Sequence, residues 1–435
     1  MKLRGIYRFL LAYICFLSVR NSCSFNLPES LVALATQYQQ NPDDNEIKYA
    51  FGNNLLALGN TRYQEHKLED ALEIYQYLTT LFPDSCAVYH NLGYTLAELN
   101  RPHEAIEAYQ HALQGNPTNQ ETHMCLAGAY LAANNYRDGF REYEWRWRGQ
   151  QHPLASFGCP VWEGQSLIDK TMLLHSEGSL GDVLQFVRYA QELKQRGAYI
   201  MVRTFKTLIP LLSRCSYIDM LVHNQEAVPQ ADYQLSLMSV PYLLDTTYPH
   251  VYNSIPYLHP DPALVAYWHE QLAHDPSFKI GICWQADPHN DANRPLLARR
   301  SIELSAFEPL AAVPGVTLYS LQSRDGVEQL RATSWIRSFE KNFDDDHGSF
   351  MDTAAVMMHL DLIITVDTSV AHLAGALGRP VWLILPYKAD WRWSYSGTTT
   401  PWYPTIHIWR KSYQDPWSHL VEKVCTTLKK LVYKG

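Results

Sequence analysis

Residues Asp361 to Pro386, DLIITVDTSVAHLAGALGRPVWLILP, constrain this chain more tightly than any other stretch. Asp361 to Val366 is a short apolar run that reads as a buried strand. Asp367, Thr368 and Ser369 then occupy the position of a helix cap, and Val370 to Leu377 continue with helical periodicity until Gly378 and Pro380 stop it. A parallel strand that feeds such a helix aims the unpaired N–H groups of the first turn, and the positive end of the helix dipole, at whatever lies above the sheet. The spacing therefore predicts an anion site suited to phosphate.

Chain length asks for more than one such unit. A single core rarely grows past about 250 to 300 residues, so 435 residues predict several domains. A formal charge of −8 gives no general attraction for nucleic acid, and no nucleic-acid partner is expected. The eight cysteines are scattered, without a CxxC pair or a Cys/His spacing that suits zinc, and read as reduced thiols. Twenty-eight Tyr and 12 Trp exceed what a lean core needs, and such rings often line sugar and nucleotide sites. In residues 1–24, Lys2, Arg4 and Arg8 precede an apolar run from Phe9 to Val19. That run resembles a signal or a membrane-surface anchor but is too short to span a bilayer. Cytoplasmic placement is expected, with peripheral membrane association through this segment.

Prolines expose a repeat. Pro83 and Pro117 lie 117 − 83 = 34 residues apart, the length of one tetratricopeptide repeat. Leu92, Gly93, Ala105, Tyr109 and Ala112 of the central unit recur 34 residues earlier as Leu58, Gly59, Ala71, Tyr75 and Leu78, and later as Leu126, Ala127, Gly139 and Tyr143. Residues 25–150 are therefore expected to form about three helical repeats, with REYEWRWRG closing the array. Such an array suits a partner protein or an extended peptide; it could equally brace the domain that follows.

Beyond the array, Thr171 to His175 reads as a strand, Ser176 to Gly181 as a glycine-rich turn, Asp182 to Arg196 as a helix and Ala198 to Arg203 as the next strand. A Pro-rich passage, Pro249 to Pro262, precedes a second Rossmann-like half with strands at Lys279 to Trp284, Thr317 to Leu321 and Asp361 to Val366. Gly181 permits close backbone approach. Asp182 on these grounds alone reads as a helix cap. Asp367, Thr368, Ser369 and His372 form the expected donor site, His372 lying one turn beyond Thr368 within reach of phosphate and Asp367 organising the turn rather than touching phosphate. Arg299, Arg300 and His289 in the polar segment after Trp284 are positioned to reach a diphosphate. Trp391 or Trp393 in the DWRW loop could stack a base or sugar ring. Asp344, Asp345 and Asp346 read as a solvated loop. No DxD-like acidic pair ends a strand.

DTSVAHLAGALG resembles the nucleotide-sugar motif of the family-9, heptosyltransferase-like glycosyltransferases. KTMLLHSEGSLGDVLQFVRYAQELKQRGA and the DWRW and PWYPT segments are similar to the version of that domain found behind tetratricopeptide repeats, and the resemblance spans roughly residues 47 to 430. It implies a two-part fold class: α-helical repeats, then an α/β GT-B domain of two Rossmann-like halves, residues 160–258 and a donor-binding 259–435, with a final helix near Trp417 to Val432 where that fold often crosses back. It further implies a metal-independent, inverting transfer of a hexosyl or heptosyl group, with no cofactor beyond a nucleotide-diphosphate-sugar co-substrate. The acceptor would be a protein or glycan recruited in part by the repeats. In SLGDVL the resemblance turns Asp182 into the catalytic base, and a basic residue ahead of RSI-like sequence favours Arg300. Ser369 stands where the family has a glycine-rich turn, which keeps open a second reading: a non-catalytic repeat scaffold with a degenerate nucleotide-sugar site. Glycan hydrolysis would need two facing carboxylates, and no convincing pair is present.

Overall fold

The 34-residue period reappears as a backbone conformation. His66, Asn100 and Asn134, spaced 100 − 66 = 134 − 100 = 34, adopt φ of 60°, 59° and 63° at the turns joining paired helices. A computed structural model describes residues 28–148, 156–247, 255–288, 299–339 and 342–433. The N-terminal hydrophobic segment 1–24 and His289 lie outside the described residues.

The chain divides into two compact units between Tyr130 and Leu131. The first consists of antiparallel helices, Glu29–Gln40, Asn45–Gln64, Leu68–Leu81, Cys86–Glu98 and Pro102–Gly115. Small residues on one helix of each pair receive a tyrosine from the other. A Cβ on Gly59 would stand 2.8 Å from the Tyr75 ring, and one on Gly93 would stand 2.7 Å from the Tyr109 ring. Both tyrosines are almost wholly buried, together with Ala71, Leu78, Ala105 and Ala112. These are tetratricopeptide-type repeats. The following helix, Gln120–Ala132, reaches the boundary, and its sequence partner Tyr136–Tyr143 belongs to the second unit, where Phe140 packs edge-on against Phe186, Trp391 and Trp402.

The second unit holds two all-parallel sheets. Strands β1 (Thr171–His175), β2 (Tyr199–Thr204), β3 (Met220–His223) and β4 (Tyr233–Ser236) lie in the order β3-β2-β1-β4. The second sheet contains β5 (Phe278–Cys283), β6 (Val316–Ser320), β7 (Ile336–Arg337), β8 (Leu362–Val366), β9 (Val381–Leu385) and β10 (Ile406–Arg410), ordered β10-β9-β8-β5-β6-β7. Apolar residues run almost without interruption in β1, β8 and β9 because helices cover both faces of such sheets. In each sheet the first strand has a neighbour on either side from opposite directions of winding, β1 between β2 and β4, β5 between β6 and β8. Those are the switch points over which ligands of doubly wound sheets sit. The unit is a GT-B-type pairing of Rossmann-like halves.

Two details differ from the sequence reading, and one agrees with it. The helix expected over Asp182 to Arg196 is broken into Leu180–Phe186 and Tyr189–Gln195. Arg188 explains the break: its buried guanidinium takes the Gln185 carbonyl through Nε at 2.8 Å and also reaches the Trp402 carbonyl and the Tyr257 hydroxyl. The C-terminal helix Trp417–Val432 packs its Val421, Val424 and Leu428 into the core of the second sheet, with Ile280, Ile364 and Ile384. Asp344 is not a solvated residue. It accepts from the Thr353 amide at 3.0 Å and the Thr353 hydroxyl, and burial raises its carboxyl above the usual range. Asp345 and Asp346 are exposed as expected.

Candidate functional site

The turns after β1, β5 and β8 face one another across a cleft of about 1140 Å³. Gly181 and Asp182 enter it from the first half, and Arg300, Thr368, Ser369 and His372 from the second. Asp182 and Thr368, 186 residues apart in sequence, thus line a common cavity.

The β8 turn is built as the sequence suggests. Thr368, extended at φ −140° and ψ 176°, begins the helix Ser369–Ala376, and its hydroxyl makes no capping bond. It lies instead 3.4 Å from the Thr365 hydroxyl and 3.6 Å from the Cys283 thiol. The Ala371 amide is taken by the Thr368 carbonyl at 3.0 Å, whereas the Ser369 and Val370 amides that open the helix have no carbonyl partner within it and lie at the cleft. Asp367, 5% exposed, is paired at 3.3 Å with Arg300, which brings that arginine to the mouth of the helix. Asp367 organises the turn through this ion pair. Arg299 is exposed and does not line the cleft.

His372 is buried behind the turn. Nδ1 shares a hydrogen bond of 2.9 Å with the Tyr403 hydroxyl, and the ring lies 5.1 Å from that of Trp393. Burial is the main reason its pKa falls to about 4, with Asp367 opposing and Arg392 reinforcing the shift. The imidazole is therefore neutral near pH 7, a polar but uncharged wall.

Across the cleft, Ser179 and Asp182 form a reciprocal capping box at the start of Leu180–Phe186. Asp182 Oδ2 accepts from the Ser179 amide at 2.6 Å and the Ser179 hydroxyl at 2.8 Å. Oδ1 accepts from Arg392 of the opposite half. Asp182 therefore takes part in capping its helix and also faces the cleft. Gly178, at φ 74°, has its missing side chain replaced by the Asp182 carboxylate itself. The preceding Glu177 is held by Arg146 at 2.7 Å, whose guanidinium stacks on Tyr143 and Trp147, each 4.4 Å away. The EWRWR junction thus braces the turn that carries Asp182.

Trp391 is not among the lining residues. Its ring joins Phe140, Phe186 and Trp402 in an aromatic cluster, because Asp390 caps the short turn and directs Arg392, not either tryptophan, toward the cleft. Trp393 is fully buried. Arg392, Asp390 and Tyr403 had no assigned role from sequence, although DWRW pointed to the right loop. Among the described residues no group of three His, Cys, Asp or Glu side chains could hold a metal ion, and no helix is long and apolar enough to cross a membrane.

Residues 348–430 match the family model for glycosyltransferase family 9 (heptosyltransferase). Protein FlbA of Caulobacter vibrioides is 24% identical over 377 residues, which cover 80% of this chain and 62% of that protein. The chain therefore spans about three fifths of that relative's length. The glycosyl transferase family 9 structure from Veillonella parvula aligns over 63% of this chain and all of its own, at 12% identity and a TM-score of 0.44. MamA aligns over 28% of this chain and 67% of its own, at 21% identity and a TM-score of 0.24.

Proposed function

We propose that this chain, whose C-terminal part is family-9 glycosyltransferase sequence, moves a hexosyl or heptosyl group from a nucleotide-diphosphate donor to a hydroxyl of a protein or glycan acceptor. The observation that carries the reading is the juxtaposition, in one cleft, of the Asp182 carboxylate and the N-terminus of the Ser369–Ala376 helix. The helix amides, the Thr368 and Ser369 hydroxyls and Arg300 would hold the diphosphate. They would neutralise the charge that grows on it as the sugar leaves, without a metal ion.

In this reading the acceptor oxygen attacks the anomeric carbon from the side of Asp182 while the bond to the diphosphate oxygen breaks. The acceptor proton passes to Asp182, and the electron pair leaves with the nucleoside diphosphate. Direct displacement inverts the anomeric centre. His372, neutral and anchored on Tyr403, adds a polar wall without competing for the diphosphate's counter-charge. The repeats would recruit the acceptor, and the enzyme would work where nucleotide sugars are made, in the cytoplasm, at the membrane periphery if residues 1–24 attach it.

The alternative scaffold reading draws on the capping box, which gives Asp182 a structural duty of its own. A panel of ADP-, GDP-, UDP- and dTDP-sugars distinguishes the two. Release of nucleoside diphosphate from at least one donor is expected; binding without release from any of them would favour the scaffold.

A further inference from the structure

We infer that Arg392 is the positioning residue for Asp182, fixing from the opposite half of the cleft the one carboxylate oxygen that remains able to take a proton. The inference rests on the proposed role of Asp182 as base. An ionised carboxylate offers about four acceptor positions, two on each oxygen. Both positions of Oδ2 are taken by Ser179, through its amide and its hydroxyl. Oδ1 takes Arg392 Nη2 and keeps a single open position. The direction of that position is set by the arginine.

Arg392 is itself held on every side. It is 9% exposed, and Nε donates to Gln185 Oε1 at 2.7 Å while Nη1 donates to Asp390 Oδ1 at 2.8 Å. Its plane stacks 4.4 Å from the centre of the Trp391 ring. Gln185 lies three residues beyond Asp182 on the same helix face, so one guanidinium spans two side chains of a helix in the other half. Burial works against its charge, yet the Asp390 and Asp182 carboxylates outweigh burial and raise its pKa. A fixed planar fork is a task lysine cannot perform, since its ammonium reaches as a point charge. The DWRW loop is thereby assigned a purpose that its tryptophans serve by packing.

The test uses the full chain with Arg392→Ala and Arg392→Lys, assayed for nucleoside diphosphate release from whichever donor of the panel the parent turns over. A kcat loss of about 100-fold or more in both variants is expected, with KM held within about threefold. Guanidinium ion at non-denaturing concentration is expected to restore Arg392→Ala by about tenfold and to leave Asp182→Asn unchanged. A rise in KM with kcat retained would overturn the inference and make Arg392 a substrate-binding group; retained kcat in Arg392→Lys would overturn the need for a fork. If the parent releases nothing from any donor, the proposed function fails separately, and thermal unfolding of Asp182→Asn, Arg392→Met and the double variant still reads the pair. The double variant is expected to lose less Tm than the sum of the singles by about 2 °C or more. Additive losses would refute the linkage.

Discussion

Gly181 and His372 meet where the two halves of the second unit close on each other. A Cβ on Gly181 would lie 3.0 Å from His372 Cδ2, and the imidazole cannot retreat because Tyr403 holds its other edge at 2.9 Å. Glycine at 181 thus suits the close approach of two helices, the one that carries Asp182 and the one that begins at Ser369. Gly181→Ala is expected to cost about 1 to 2 kcal/mol of stability through overpacking and to lower kcat. Urea unfolding and the donor-release assay check both; an unchanged midpoint would mean the halves part more readily than this geometry implies.

In the proposed reading Arg300 holds the donor and takes no part in moving the proton. Replacing it by Met removes the cation at the mouth of the Ser369–Ala376 helix and leaves Asp367 unpaired on that side. Donor KM is expected to rise about tenfold or more, in keeping with loss of a charge-assisted contact, with a smaller effect on kcat. Steady-state kinetics with varied donor measures the split.

Stability is expected to fall as the solution is acidified from about pH 6.5 toward pH 4. His175 and His372 are both lowered from 6.5 to about 4, chiefly by burial. The unfolded chain therefore binds more protons than the folded one in that window, so the stabilisation is complete above the window and lost within it. Each group contributes on the order of 3 kcal/mol at most. Denaturant midpoints of the parent and of His175→Gln at pH 7.5 and pH 5 should show a shallower pH dependence in the variant.

In the repeats, Gly93→Val should destabilise by about 2 kcal/mol or more, since even a Cβ would press within 2.7 Å of the buried Tyr109 ring and a β-branched side chain adds to it. Gly59→Val should behave alike against Tyr75, 34 residues earlier in both partners. Circular dichroism melts of each variant are sufficient.

The parts of this molecule legible in the sequence were those written locally. The helix pairs follow from a 34-residue spacing, and β8, its turn and its helix follow from an apolar run, a cap and a Gly/Pro stop. The relations that organise the cleft are long-range and leave no local trace. Asp182 and Arg392 are 210 residues apart, and nothing in SLGDVL or DWRW announces that the arginine, and not a tryptophan, faces inward. The break at Arg188 was hidden for the same reason, because its partners Tyr257 and Trp402 come from distant segments. Asp344 reads locally as one of three solvated acids, whereas its donors come from Thr353, nine residues on.

The central claim, that Asp182 is the base of a sugar transfer, is tested most directly by Asp182→Asn. Asparagine can still accept from Ser179, so the capping box and the fold should survive, with a modest Tm loss because its amide N–H2 replaces the oxygen that faces Arg392. The account predicts that the variant binds the productive donor with Kd within about threefold of the parent while turnover falls by about 100- to 10,000-fold. Turnover equal to the parent's would contradict it and leave Asp182 a helix cap alone.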